Sequence, residues 1–478
     1  MSGVSAAQDG GPVAGTTASS RSPYTLAIAA DTDRSLVRGW LWLGLLALIV
    51  SGVYSILLVA SRTPGINAML PVEDFFRVAL VVHVDLSVLV WFLALAGMLW
   101  SLSSRPRAPA LGWLALALAC AGTAMLGIAP FTGSGLPIMA NYIPVLDGGM
   151  FLYGLAVLGV AAALLVLRSL IAAPALGMAF DGSDVLRFGL NASVIATAVA
   201  LLAFAASLWL TPGGLDSQTY YEIAFWGGGH ALQFTWTLLM LVAWLWLASE
   251  IGARIPLSPR IALLLLMLAL VSVFVTPWAY LAHDVSTVEH RDLHTWAMRL
   301  GGGISIVPIG LAVVIGLVGS RRSPQPGHDA LRAALIASMI LFASGGIIGI
   351  FISGSNVRIP AHYHGCIVGV TLALMGLVYL LLPKLGYRTP QGRMACWQPS
   401  LYGAGQLMHI IGLVWSGGYG VQRKVAGAEQ ILRSKAEIAG MGLMGMGGLI
   451  AIIGGLLFVI VVWKALRAPQ SVAKEGQS

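Results

Sequence analysis

Arg358-Ile359-Pro360-Ala361-His362-Tyr363-His364-Gly365-Cys366-Ile367-Val368-Gly369-Val370 opens an apolar run that continues to Leu382. Two imidazoles at the head of a membrane-length hydrophobic stretch are costly to bury, so they mark a functional site. The helix that this run must form turns residues two apart by about 200° around its axis. His362 and His364 therefore cannot serve one metal. They can hold two separate groups, one on each side of the helix. His83 and His230 stand near the start of two further apolar runs, and His283 stands at the end of a third. Neutral imidazole is a common ligand for haem iron, copper and zinc.

The rest of the chain supports a membrane setting. Of its 478 residues, 58% are hydrophobic and 10% are charged, well below the roughly 25% charge of soluble domains. Fifty-eight glycines and 22 prolines suit helices packed closely in lipid. The net charge of +8 would hint at nucleic acid in a soluble protein. Here the basic residues sit mostly in short loops between apolar runs, so nucleic-acid binding is excluded as a reading. Cys120, Cys366 and Cys396 are scattered, with no spacing of a zinc site, a disulfide framework or a covalent c-type haem.

A span needs about 20 apolar residues. That rule predicts an all-α integral membrane protein with about twelve spans, near 36–61, 74–102, 109–133, 138–168, 186–211, 220–248, 259–283, 292–319, 330–354, 360–384, 396–421 and 437–466. They form one domain over residues 36–467. Residues 1–35 read as a disordered tail without the short apolar core of a signal peptide, and 468–478 as a second tail. Alternate loops carry Arg105 and Arg107, Arg168 and Arg187, Arg254 and Arg260, Arg321 and Arg322, and Lys384, Arg388 and Arg393. Lys464 and Arg467 follow the last span, and Arg423 and Lys424 are the main exception. This bias predicts both termini in the cytoplasm. His83, His230, His362 and His364 then share the outer half of the membrane, with His283 shallower.

On these residues the chain resembles subunit I of the haem–copper oxidoreductases, the family of terminal oxidases and nitric oxide reductases. The resemblance rests on Val82-His83-Val84-Asp85, Trp226-Gly227-Gly228-Gly229-His230, Ala361-His362-Tyr363-His364, and Gly418-Tyr419-Gly420-Val421-Gln422-Arg423-Lys424. It runs over spans 1 to 12. It implies two haems, of unspecified type, and one non-haem metal, copper or iron. His83 and His364 would be the axial ligands of a low-spin haem. His362 would be the proximal ligand of a high-spin haem, His230 a ligand of the non-haem metal, and Arg423 and Lys424 the partners of haem propionates. It also implies a small gas substrate, NO or O₂, in a bacterial or archaeal inner membrane. With no soluble redox domain in the chain, electrons would come from quinol or through a partner subunit carrying a cupredoxin-like or cytochrome c domain.

The sequence departs from the oxidase pattern twice. Where oxidases carry adjacent histidines late in span 7, this chain reads Tyr280-Leu281-Ala282-His283-Asp284. A His230/His283/Asp284 set would favour a harder ion such as Fe²⁺, with Asp284 contributing to catalysis. His290 and His294, four residues apart among charged neighbours, are reserve candidates. Four residues beyond His230, where many oxidases carry a redox tyrosine, stands Phe234, next to Gln233; Tyr280 is a substitute of imperfect spacing. The missing tyrosine favours NO reduction, which needs two electrons. Asp85, a carboxylate beside a haem ligand, needs a partner or water. His328 reads as solvated, and His409 as a helix–helix hydrogen bond. A twelve-span transporter and a membrane cytochrome without gas chemistry remain as other classes.

Overall fold

In the computed structural model the described residues are 24–60, 75–133, 135–177, 179–320, 325–352, 356–419, 421 and 434–467. They contain twelve long helices: α1 (Arg34–Ala60), α2 (Phe75–Ser103), α3 (Pro109–Ile128), α4 (Gly149–Ile171), α5 (Gly182–Leu210), α6 (Ser217–Glu250), α7 (Pro259–Ala282), α8 (Val288–Val318), α9 (His328–Ile350), α10 (Arg358–Lys384), α11 (Arg393–Gly418) and α12 (Lys435–Arg467). Eleven are long and apolar enough to cross a membrane. The other, α11, has the length but carries Gln398, Gln406 and His409 along its course. A two-stranded antiparallel hairpin, β1 (Leu136–Ile138) and β2 (Val145–Asp147), lies between α3 and α4.

Consecutive helices pack in antiparallel pairs, α3 with α4, α5 with α6, α9 with α10 and α11 with α12. Small residues set the spacing. A Cβ on Gly365 would lie 2.6 Å from the Cα of Gly345, so α9 and α10 touch backbone to backbone. No other side chain fits there. In the central helices α6 and α10, 89% of the apolar window is buried inside the protein, and in α2 67%, against 28–50% for the rest. The helices that carry His83, His230, His362 and His364 are thus the ones shielded from lipid. A Lys384–Glu250 ion pair at 3.3 Å ties α10 to α6 at the ends remote from these histidines.

Two helices are irregular where the sequence gives a reason. In α2 the turn Asp85–Val90 is π-helical, beginning directly after Val84. The Ser51 and Ser87 hydroxyls donate to the carbonyl of His83 at 3.1 and 2.7 Å, replacing backbone bonding that the wider turn gives up. In α7, Pro277 cannot donate to Val273, and the helix breaks at Phe274 as proline chemistry requires.

The N-terminal boundary is earlier than expected. Helix α1 begins at Arg34, and Asp33 caps it by accepting from the amides of Ser35 and Leu36. Tyr24 is fully buried and donates to the carbonyl of Leu257 at 2.7 Å, and Leu26 is buried too. Residues 24–33 therefore pack onto the bundle and are not part of a disordered tail, because an aromatic ring and a leucine anchor them. Residues 1–23 and the tail 468–478 lie outside the described residues.

Candidate redox centre

Helix α10 sends its two imidazoles in different directions, as the 200° rotation demands. The Nδ1 of His362 is 2.7 Å from the carbonyl of Gly345 on α9. A Cβ on Gly349 would lie 2.6 Å from that ring nitrogen, so a glycine at 349 makes the space in which the imidazole sits. His364 faces the other way. Its Nδ1 bonds the carbonyl of Pro360 at 2.9 Å. Its ring stacks on Tyr363 and lies 5.0 Å from the ring of His409 on α11, and it is within electrostatic range of His83 on α2.

His83 is held firmly. Its Nδ1 is 2.9 Å from the Ser51 hydroxyl, 3.0 Å from the Ser55 hydroxyl and 3.0 Å from the Ser51 carbonyl. All four of His83, His362, His364 and His409 have Nδ1 committed to a carbonyl or hydroxyl, leaving Nε2 as the outward nitrogen. This is how protein fixes the tautomer of an imidazole that ligates a metal. His83 and His364 lie deep within the bundle yet are only partly covered. The donors fit a haem between them and a second on His362. His409 also makes the expected interhelical bond, Nδ1 to the carbonyl of Met444 at 3.0 Å. Its approach to His364 was not legible in the sequence, because 45 residues separate them.

Around His230 the structure assembles a different group. His290 and His294, on one face of the first turns of α8, lie against it: ring centroids are 5.9 Å apart for His230–His294 and 4.6 Å for His290–His294. Two imidazoles on one tetrahedral metal, with metal–nitrogen bonds of about 2.0 Å, would have centroids about 5 Å apart. Both His290 nitrogens and Nε2 of His294 are buried without a hydrogen-bond partner. Orphaned buried nitrogens of this kind are what a metal would satisfy. The donor set therefore fits a metal in composition. The nitrogens do not converge: among the described residues no three His, Cys, Asp or Glu side chains are disposed around one metal position. His230 in particular bonds Trp226 O through Nδ1 at 2.9 Å, and its Nε2 meets the Tyr142 hydroxyl at 2.9 Å.

The pair expected from the sequence sits elsewhere. Helix α7 ends at Ala282, and His283 is extended, with φ −141° and ψ 147°, and partly covered. Asp284 is exposed, and its Oδ1 accepts from both the amide and the hydroxyl of Ser286 at 2.9 and 2.6 Å. Those bonds hold its carboxyl below the usual carboxylate range. Both residues lie at the rim, within electrostatic range of His290, while the reserve pair His290 and His294 faces His230. Glu289, Arg291 and Asp292 are exposed, and Arg291 caps Trp226 of α6 with a guanidinium 4.9 Å from the ring.

Two phenols approach the same cluster. Tyr280 makes an edge contact with His290, centroids 4.7 Å apart, and its hydroxyl bonds Ser207 Oγ at 2.5 Å and the carbonyl of Ala203 at 3.0 Å. Tyr142, from the β1–β2 turn, packs on His230 with centroids 4.8 Å apart. The run Gly227-Gly228-Gly229 admits three rings, Tyr280, Phe204 and Tyr142 respectively; a Cβ on any of these glycines would collide with its ring. That glycine triplet was the signal in the sequence for close approach at His230. Asp85 is buried, and its Oδ2 has no hydrogen-bond partner among the described residues. Arg423 and Lys424 lie outside the described residues.

Comparison with known proteins bears on the family of the chain. The profile of the family described as cytochrome c and quinol oxidase polypeptide I matches residues 35–457. An uncharacterised protein of Rickettsia prowazekii (strain Madrid E) is 29% identical, over 91% of this chain and 96% of its own length. An uncharacterised protein of Aquifex aeolicus (strain VF5) is 28% identical, over 75% of this chain and 88% of its own. With its histidine-bearing helices at the centre of the bundle and the match spanning nearly all twelve helices, the chain belongs to the cytochrome c and quinol oxidase polypeptide I family, and is an oxidoreductase subunit of the haem–copper superfamily.

Proposed function

We propose that this chain is the catalytic subunit of a respiratory terminal oxidase that reduces O₂ to water, with copper as its non-haem metal. The observation that carries the choice of gas is the packing of Tyr280 against an all-imidazole cluster of His230, His290 and His294. When bound, the haems supply electron relay and a gas-binding iron, and the non-haem metal a second redox centre. His83 and His364 would hold the low-spin haem, His362 the high-spin haem, and Arg423 and Lys424 the propionates.

The substrate argument rests on electron count. O₂ takes four electrons and four protons to give two waters; two NO take two electrons and two protons to give N₂O and water. A tyrosine at the site can contribute one electron and one proton to the larger demand. Phe234 cannot, and this absence favoured NO when the sequence was read alone. Tyr280 stands close enough to His290 for that role, with its hydroxyl oriented by Ser207 and Ala203. The imidazole-only cluster also favours copper over iron, since the carboxylate of Asp284 is bonded to Ser286. The NO reading keeps one supporting observation: Tyr280 is separated in sequence from every one of these histidines by more than the single helical turn that links the usual pair.

The basic-loop pattern supports both termini on the cytoplasmic side of a bacterial or archaeal inner membrane. The redox centres then lie toward the outer face, where a partner subunit with a cupredoxin-like or cytochrome c domain would deliver electrons. The test is metal analysis with O₂ and NO turnover on one preparation of wild type and Tyr280→Phe. Copper, O₂ consumption, and its loss in the variant support the reading. Iron in place of copper, or NO turnover without O₂ turnover, contradicts it.

A further inference from the structure

The β1–β2 hairpin is strapped to the start of α6. Ser217 and Tyr221 donate to the carboxylate of Asp147 at 2.8 and 3.2 Å, and Asn141 donates to Glu222 at 2.6 Å. At the tip of this strap, Tyr142 is wedged over Gly229, edge-on to Trp226 with centroids 5.7 Å apart. Its phenol is therefore fixed in place by backbone and side-chain packing on the outer side of the histidine cluster.

The direction of its hydrogen bond follows from the neighbours. A carbonyl cannot donate, so the Nδ1 of His230 must carry the proton that meets Trp226 O. Nε2 then presents its lone pair, and the Tyr142 hydroxyl donates to it at 2.9 Å. That lone pair is the one a metal would take. A metal on His230 would stand about 2.0 Å from Nε2, which displaces the phenol from its acceptor. The strap and the Gly229 notch keep the ring beside the metal, and a buried O–H that loses its acceptor needs another. A small molecule held by that metal, on the same side of the imidazole, would offer one.

We infer that Tyr142 is a substrate-positioning residue: held beside Nε2 of His230, its hydroxyl donates a hydrogen bond to the diatomic ligand of a metal bound there. This rests on the proposed metal site at His230, His290 and His294, and it adds to that site a donor from outside the helical bundle.

The experiment is infrared spectroscopy of carbon monoxide photolysed onto the non-haem metal of the intact reduced protein, in H₂O and in D₂O. In wild type the C–O band should shift on exchange into D₂O, and a band indifferent to D₂O overturns the inference without any variant. In Tyr142→Phe the band should move and lose its D₂O sensitivity, with the metal still bound and the low-spin haem spectrum unchanged. Gly229→Ala, whose Cβ would meet the Tyr142 ring, should reproduce that loss with the phenol still in the chain. A Tyr142→Phe band at the wild-type position, on a preparation that retains its metal, sinks the Tyr142 assignment alone. A wild-type preparation with no non-haem metal sinks both this and the metal site beneath it.

Discussion

The two halves of the redox centre are built on different plans. On the side of α2 and α10, His83, His362 and His364 each have Nδ1 fixed on a hydroxyl or carbonyl. On the side of α6 and α8, His290 has neither nitrogen bonded, His294 lacks a partner at Nε2, and His230 leans on a phenol. The first half has its imidazoles oriented by the protein's own hydroxyls and carbonyls. The second half presents buried nitrogens that the protein itself leaves without a partner. Fixed imidazoles lose little freedom on ligation, whereas orphaned ones would gain their missing partner from the ion itself.

The largest effects should come from removing a fixed ligand. His364→Ala should abolish the low-spin haem signal in a reduced-minus-oxidised spectrum; a retained bis-imidazole spectrum would mean that His409, 5.0 Å away, or another group ligates in its place. Next comes the contrast within the second half. His290→Ala and His294→Ala should each lose the non-haem metal by elemental analysis while keeping both haems. His283→Ala and Asp284→Asn should keep the metal, and metal loss in Asp284→Asn would restore the carboxylate-bearing set.

Gly349→Ala should act at a distance from any ligand substitution. Its Cβ would press on the His362 imidazole, altering the high-spin haem spectrum and leaving the low-spin bands in place. A smaller effect is expected where one of several redundant partners is lost. Ser51→Ala removes one hydroxyl from His83 but leaves Ser55 and the Ser51 carbonyl, so haem affinity should fall by about tenfold, the low end of the cost for such supporting groups. A change beyond that would show that the serine hydroxyl, and not the backbone, orients the ring. The smallest concerns the scaffold. Asp181→Ala breaks the capping box with Asp184 at the start of α5 and should cost about 1 kcal/mol in a thermal or denaturant unfolding series.

Much of this was legible in the sequence because membrane physics leaves few options. Apolar runs predicted twelve spans; twelve long helices form among the described residues, eleven of them apolar enough to cross a membrane, and the run expected from 138 becomes a hairpin before its helix starts at Gly149. The two-residue spacing of His362 and His364 carried its own geometry. The second metal's donors were harder to read, for a reason visible at α8. Glu289, Arg291 and Asp292 make the stretch look solvated when residues are taken in order. On a helix they point outward, and His290 and His294, four apart, share the inward face. Local charge averaged over neighbours hid a facial pattern. Tyr142 and Tyr280 were out of reach for another reason: they come to His230 from separate elements, and only the glycine triplet on α6 recorded their approach.

One measurement bears on the whole scheme most directly: haem and metal stoichiometry of the purified protein, read with its reduced-minus-oxidised spectrum. Two haems per chain, one low-spin and one high-spin, with one non-haem metal, is the predicted result. A protein with no haem bands, or with low-spin haem alone and no second metal, would contradict it.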